Sequence, residues 1–450
     1  MDADVDSAAT GRSAMLKASW RILPWLGSGY LMSYIDRVNV SFAAAQMNAD
    51  LGFSATVYGL GSGIFFLSYA LLEVPSGMAV TRVGARRWIA RIMVTWGLLA
   101  AGLAFVRTPS QFYVMRFLLG AAEAGYFPCA LYCVSQWFPS AHRGRATSCF
   151  YAFAGLSSIV MGFLSGWLLA LDGLVNLRGW QWLFLVEGLP AFFLGVAILY
   201  FLPDDPARAK WLTPAERHWI EVAHAREADR PGMSRDHNIL GALRDWRVFQ
   251  LAVIGFLTIG SYMSFQLFMP QLLATGTGLD AVHVGYLVSL AGAVLIAGMI
   301  ASGWHSDRLG ERHTHLLAGS ICVGAAFLAM ASATSASMLL AAYYAISFFW
   351  PSVTLSTLVL CSEIVPQRNV GIAVAAVNTL SQVGAFLGPW LIGISRDATG
   401  SYHLSQMMLP VGFFLSVAIV LNLRRELRGL RMKAGAVPAA QLTAPDVAAS

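Results

Sequence analysis

Twelve stretches of this 450-residue chain are each apolar over about 20 residues or more, the length needed to cross roughly 30 Å of hydrocarbon at about 1.5 Å per residue. They run over 20–44, 57–80, 88–106, 111–138, 146–171 and 180–202, then 247–273, 283–304, 314–334, 337–361, 370–394 and 405–424. In lipid every backbone N–H and C=O must be satisfied within the structure, and helices of this length do so unaided. The fold class is therefore all-α, with the chain spanning a bilayer. Charged residues make up 12% of the chain, against about 25% in soluble globular proteins, so the apolar runs have no polar shell that would keep them in water.

The net charge of +6 raises the question of a nucleic-acid partner, and the distribution of the charge excludes it. Of the 30 Lys and Arg, 25 fall on alternate connections starting with the N-terminus, while the other side carries Arg107, Arg178 and Arg396. That bias puts both termini in the cytoplasm. The acidic start, Asp2, Asp4 and Asp6, lacks the basic region of a signal peptide, so the first span is retained. The five cysteines show no CxxC pair or metal-type spacing, and the nine histidines lie in loops or at span edges. No metal and no cofactor is expected. No lysine follows a glycine, which rules out a phosphate-cradling P-loop, and no nucleophile–base cluster marks a membrane enzyme.

The polar stretch 203–246 separates six spans from six, giving an N-terminal tail 1–19, a bundle 20–202, a cytoplasmic linker 203–246, a second bundle 247–424 and a tail 425–450. A repeat supports the division. Gly77, Thr81, Arg82, Gly84, Arg86 and Arg87 follow the second span, and Gly303, Asp307, Arg308, Gly310, Arg312 and His313 follow the eighth at identical spacing. Duplicated six-helix halves place a binding site between two bundles that rock around it, as in secondary transporters.

Ionisable groups inside a bilayer cost roughly 2.5–3.5 kcal/mol each on insertion scales and so mark function. Asp36, Arg37, Arg116 and Glu123 lie in the first bundle at overlapping depths, with Arg116 and Glu123 two turns apart on one helix face. A guanidinium binds a carboxylate with two parallel hydrogen bonds and keeps its charge at any working pH, so the substrate expected is a small carboxylate. One arginine should meet it while the other pairs with a protein acid, and the residues alone leave open which. Burial raises a carboxyl pKa and a nearby arginine lowers it, so Asp36 and Glu123 can exchange protons in step with the arginines. Asn39, Asn378 and Gln382 can hydrogen-bond a polar substrate, and Tyr34 and Tyr69 bring hydroxyls deep into apolar spans. Glu73, Glu187 and Glu363 sit beside Gly, Pro or span ends, where a backbone or loop-arginine partner is expected.

The chain resembles the major facilitator superfamily, whose short loop G-x-x-x-D-R-x-G-x-R-R follows the second span and recurs after the eighth. The second copy matches well; the first has Thr81 in place of the acid, which implies that Asp307 carries more of an interbundle latch built on Gly77, Arg82, Gly84, Arg86, Gly303, Arg308, Gly310 and Arg312. Within the superfamily the chain is similar to the anion:cation symporter branch, whose members carry tartrate, phthalate, aldonates and aldarates. The similarity rests on the runs Tyr34 to Asn39, Glu73 to Ser76, Val83 to Trp88, Arg116 to Gly125, and Leu202 to Pro206 with Trp211 to Thr213. It implies a proton symporter in the inner (plasma) membrane, with Asp36 and Glu123 as proton carriers and Arg37 as substrate ligand. Arg116 would partner the acids, Tyr34 and Tyr69 would touch substrate, and the unit would be a monomer whose other partners are protons and lipid. The rivals are a non-transporting organic-acid receptor on the same fold and a neutral-solute facilitator, which would not need two membrane arginines.

Overall fold

The computed structural model describes residues 2–228, 245–309, 312–365 and 370–435. Seven helices build the first half: α1 (Asp2–Leu51), α2 (Ala55–Val83), α3 (Ala85–Gly102), α4 (Pro109–Glu123), α5 (Tyr126–Trp137), α6 (Ser140–Leu169) and α7 (Gly179–Phe201). A connecting helix α8 (Pro214–Ala228) follows. The second half holds α9 (Trp246–Thr277), α10 (Ala281–Leu309), α11 (Arg312–Ala331), α12 (Ala336–Ile364), α13 (Val370–Thr399) and α14 (His403–Gly435). Eleven segments, with α4 and α5 counted as one, are long and apolar enough to cross a membrane among the described residues. The twelfth crossing is α1, whose hydropathy is depressed by Asp36, Arg37 and Asn39, the residues that make it interesting.

Residues 2–19 do not form a separate tail but continue α1 as helix, and part of the 203–246 linker is helical as well. The two are clamped together. Glu216 forms a capping box with Thr213, whose N–H donates to its carboxylate at 2.8 Å and whose hydroxyl accepts from the Glu216 N–H at 3.3 Å. Ser13 Oγ and Lys17 Nζ donate to the same carboxylate at 2.7 and 2.9 Å. Burial pushes the Glu216 carboxyl up, but the hydrogen bonds from Lys17, Ser13 and Thr213 outweigh it and hold it down at about 2, below an ordinary 4.5. A depressed carboxyl stabilises the fold above its unfolded value and loses that contribution as pH falls through the folded one. The protection factors of the α8 amides, corrected for the intrinsic pH dependence of exchange, are therefore expected to hold from neutrality to about pH 4.5 and to fall only as pH drops from there towards 2.

The two halves meet along α2 with α13 and along α6 with α10, where glycines let the backbones touch. A Cβ on Gly59 would lie 2.3 Å from the Pro389 carbonyl, and one on Gly285 would lie 2.2 Å from that of Gly162. Asp397 of α13 caps the start of α2 from across the interface, accepting from the N–H groups of Ala55 and Thr56 at 3.0 and 2.8 Å. Tyr58 Oη donates to the Leu267 carbonyl at 2.6 Å close by. At the repeated loops, among the described residues, a Cβ on Gly77 would meet only Pro128 of its own half within 4 Å, and one on Gly303 would meet nothing. The halves are thus joined at the α1–α2 turn. Asp397→Ala removes both capping bonds across this end and should weaken the contact by about 1 kcal/mol, a change of about fivefold in its equilibrium. Spin-label distances across the α2–α13 end measure that shift.

Candidate functional site

The 111–138 span is not one helix. α4 stops at Glu123, Ala124 turns out of helical geometry (φ −53°, ψ 127°), and Gly125 takes φ 91° before α5 begins. Only glycine suits that position, both for its left-handed backbone and because a Cβ would lie 2.1 Å from Ser76 Oγ. Glu123 thereby becomes the last residue of α4, at the carbonyl end of a half-helix, where the dipole disfavours negative charge.

Glu123 is wholly buried and takes its positive partner from α1. Arg37 Nε donates to Glu123 Oε1 at 2.8 Å and Ser33 Oγ donates to the same oxygen at 2.7 Å, while Oε2 has no hydrogen-bond partner. The Arg37 guanidinium also lies over the rings of Tyr69 and Tyr34, 4.7 and 5.3 Å from their centroids. Its side chain is 15% exposed, and among the described residues its two terminal nitrogens hold no carboxylate or carbonyl. Nε is thus occupied by Glu123, while the rest of the guanidinium lies beside Tyr34 and the Tyr69 hydroxyl, which also hydrogen-bonds it.

Asp36 is held on its other side. Asn39 Nδ2 donates to its Oδ1 at 3.2 Å and Trp96 Nε1 of α3 donates to its Oδ2. Arg116 is fully buried. Nη2 donates to the Ser62 carbonyl at 3.3 Å, the guanidinium rests on the Phe65 ring, and Nε and Nη1 have no partner. Asp36 and Glu123 are within its electrostatic reach, yet among the described residues no carboxylate lies within 4.0 Å of it. The resemblance assigns Arg116 to the acids, whereas in this conformation Arg37 holds Glu123.

From the second half, Asn378 reaches across and donates to Glu73 Oε2 at 2.7 Å. Glu73 therefore has a cross-bundle partner rather than the backbone or loop-arginine partner expected, and Asn378 is engaged before any substrate arrives. The facing wall is aromatic: Tyr262 stacks on Trp350 with centroids 3.9 Å apart and lies within electrostatic reach of Tyr34. Ser33, Trp96 and Tyr262 are the site residues that sequence reasoning passes over, and Glu73 is one to which it gives only a structural partner. Ser33 alone leaves a trace, one helical turn before Arg37.

The Major Facilitator Superfamily family model matches residues 26–389. The chain belongs to the major facilitator superfamily. It is therefore a multi-pass membrane transporter protein and not an enzyme. This superfamily member is 41% identical over 415 residues to a protein of Agrobacterium vitis provisionally named a tartrate transporter, covering 91% of each chain. It is 34% identical to a protein of Acinetobacter baumannii named a quinolone resistance transporter, covering 91% of this chain and 95% of that one. Among solved structures it resembles a bacterial homologue of the human lysosomal transporter Spinster, TM-score 0.72 at 15% identity over 90% of this chain and 96% of that one. The xylose transporter XylE from Escherichia coli gives 0.69 at 14%, over 90% and 95%. Both show the shared fold.

In this superfamily member the loop motif after α2 finds its partners within its own half. Gly84 adopts φ 92°, and Arg86 Nη2 pairs with Asp204 at 2.9 Å. After α10, Arg308 lies over the Trp304 ring at 4.6 Å and Arg312 donates to Ser306 Oγ. Gly310 and the side chains of Asp307 and Glu363 lie outside the described residues.

Proposed function

We propose that the chain carries a small organic acid anion across the plasma membrane together with protons, by exposing one central site alternately to each side. The observation that carries this reading is the divided Arg37 fork: Nε on Glu123 Oε1, and the terminal nitrogens, which hold no carboxylate or carbonyl among the described residues, beside Tyr34 and Tyr69. A carboxylate arriving at the open edge competes with Glu123 for one guanidinium. As Arg37 turns to the substrate, Glu123 loses its cation in a buried position at the end of α4 and takes a proton, for which Oε2 is free. Anion and proton binding then favour each other reciprocally. Asp36 is the second proton carrier, with Arg116 as the cation within reach.

The names of relatives support the substrate class: two Agrobacterium vitis proteins, 41% and 40% identical, are provisionally called tartrate transporters. The basic bias of the loops makes the end opposite the joined α1–α2 turn cytoplasmic, so this conformation faces inward, and the Asp307 and Arg82 loops latch when it reverses. Glu73 and Asn378, joined across the halves, separate when an acid reaches Asn378.

Counterflow in proteoliposomes with labelled tartrate, aldonates, aldarates and aromatic acids tests the class. Uptake should be competed by carboxylates and not by their amides or the parent sugars. Equal competition by the amides would overturn the reading.

A further inference from the structure

Among the described residues the site offers a substrate one cation. Arg37 has donors left over, with Nε on Glu123 Oε1 and no carboxylate or carbonyl on its terminal nitrogens. Arg116 is 0% exposed and held between the Ser62 carbonyl and the Phe65 ring. Ser62 lies one helical turn from Tyr58, whose hydroxyl donates to the Leu267 carbonyl where the halves are joined, so Arg116 belongs to that joined end. The second half adds no cation at this depth. Between Arg247 and Arg424 its Lys and Arg are Arg308, Arg312, Arg368 and Arg396. Arg308 and Arg312 flank the turn from α10 to α11, Arg368 falls between α12 and α13 in the chain, and Arg396 is in the last turn of α13 over the Tyr402 ring. What the halves share beside Arg37 is an acid. Tyr69, whose ring centroid is 4.7 Å from the Arg37 guanidinium, is followed one helical turn later by Glu73, and Asn378 of α13 donates to Glu73 Oε2 at 2.7 Å. Glu73 Oε1 accepts no hydrogen bond among the described residues, and Arg37 is the cation within its electrostatic reach.

We propose that the site selects monocarboxylates against dicarboxylates, with Glu73 as the residue that sets this specificity: Arg37 holds the single carboxylate, and the rest of the substrate must be neutral. The inference rests on the proposed carrier function and narrows its substrate class. With Asp36 and Glu123 ionised, Arg37 and Arg116 balance them. A monoanion adds one negative charge, which one proton on Glu123 offsets as Arg37 turns to the substrate. A dianion adds a second. That carboxylate finds no cation in the second half, and near Arg37 it shares one guanidinium with Glu73 and Glu123. Charges taken out of water need a partner of their own, and carboxylates crowded around one cation repel. A hydroxyl or an amide in the same place meets no such penalty: it can donate to Glu73 Oε1 and accept from Asn378 Nδ2.

Equilibrium binding to the purified full chain in lipid, at neutral pH where both carboxyls of each diacid are ionised, tests this on pairs of matched size: threonate with tartrate, gluconate with glucarate, benzoate with phthalate. In a pair that binds, the monocarboxylate should bind about 100-fold more tightly than the diacid. The monoamides of tartaric and glucaric acid, which keep one carboxylate at the diacid's size, should bind with the monoacids. Glu73→Gln, whose carbonyl still accepts from Asn378 Nδ2, should narrow the gap between monoacid and diacid about tenfold. Should Glu73→Gln fail to fold, the monoamides make the same comparison on the wild type. A diacid that binds as tightly as its monocarboxylate, a monoamide as weak as its diacid, or an unchanged ratio in folded Glu73→Gln would overturn the proposal. Diamides binding as well as the acids would instead remove the need for any carboxylate and defeat the proposed function, whereas a tightly bound diacid leaves that function standing.

Discussion

Glu123→Gln is expected to leave substrate-for-substrate exchange running while gradient-driven accumulation collapses. Glutamine fills the same volume, accepts from Ser33 Oγ and Arg37 Nε through its carbonyl, and stands permanently in place of the protonated acid. The substrate no longer competes with a carboxylate for Arg37, so binding persists. What is lost is the link by which occupancy of the guanidinium fixes the protonation of α4. Paired counterflow and pH-driven uptake on the reconstituted variant separate the two, with expression matched. Asp36→Asn should behave in the same way, its carbonyl keeping the Trp96 bond while its NH2 donates to Asn39 with that amide turned over, unless Asp36 chiefly orients its neighbours, in which case binding falls too. Undiminished pH-driven accumulation in Glu123→Gln would remove Glu123 as the coupling residue.

Arg37→Lys should lose about 10- to 100-fold in transport although the charge is kept, since hydrogen bonds to charged groups contribute roughly 1.5–3 kcal/mol and each 1.4 kcal/mol is tenfold. An ammonium has no second edge. It can satisfy Glu123 or the substrate but cannot hold one with Nε while presenting a planar pair of donors to the other. Arg116→Lys should be comparably damaging for a different reason: its guanidinium is buried, shared between the Ser62 carbonyl and the Phe65 ring, and lysine leaves both without a partner of that shape. Initial counterflow rates measure each variant. Normal rates at unchanged apparent affinity for both would show that fork geometry is irrelevant.

The membrane spans, the two halves and the four central charges are legible in the sequence, because a charge or a long apolar run leaves few readings once lipid is the solvent. Pairing is not. Helical spacing puts Arg116 and Glu123 on one face of α4, but which arginine meets Glu123 depends on how α1 is rotated against it, and a single chain carries no measure of that. The break after Glu123 is hidden for another reason. Gly125 is one of 42 glycines, and what singles it out is the close approach of Ser76 from α2, a tertiary contact. Glu73 and Glu187 look alike in sequence, each near Gly or Pro. They part only in three dimensions, one joined to Asn378 across the halves and the other facing Asn39 within its own. Asp397 as a cap for α2 is likewise invisible, since 341 residues separate it from Thr56.

The central claim is that an organic anion and a proton bind this protein together through Arg37 and Glu123. Its most direct measurement is proton uptake by the purified protein in weakly buffered solution, followed with a pH dye, on addition of the acid that counterflow identifies. The wild type should take up protons as the anion binds, and Glu123→Gln should bind the same anion with proton uptake lost or reduced. Anion binding by the wild type with no proton uptake would contradict the claim.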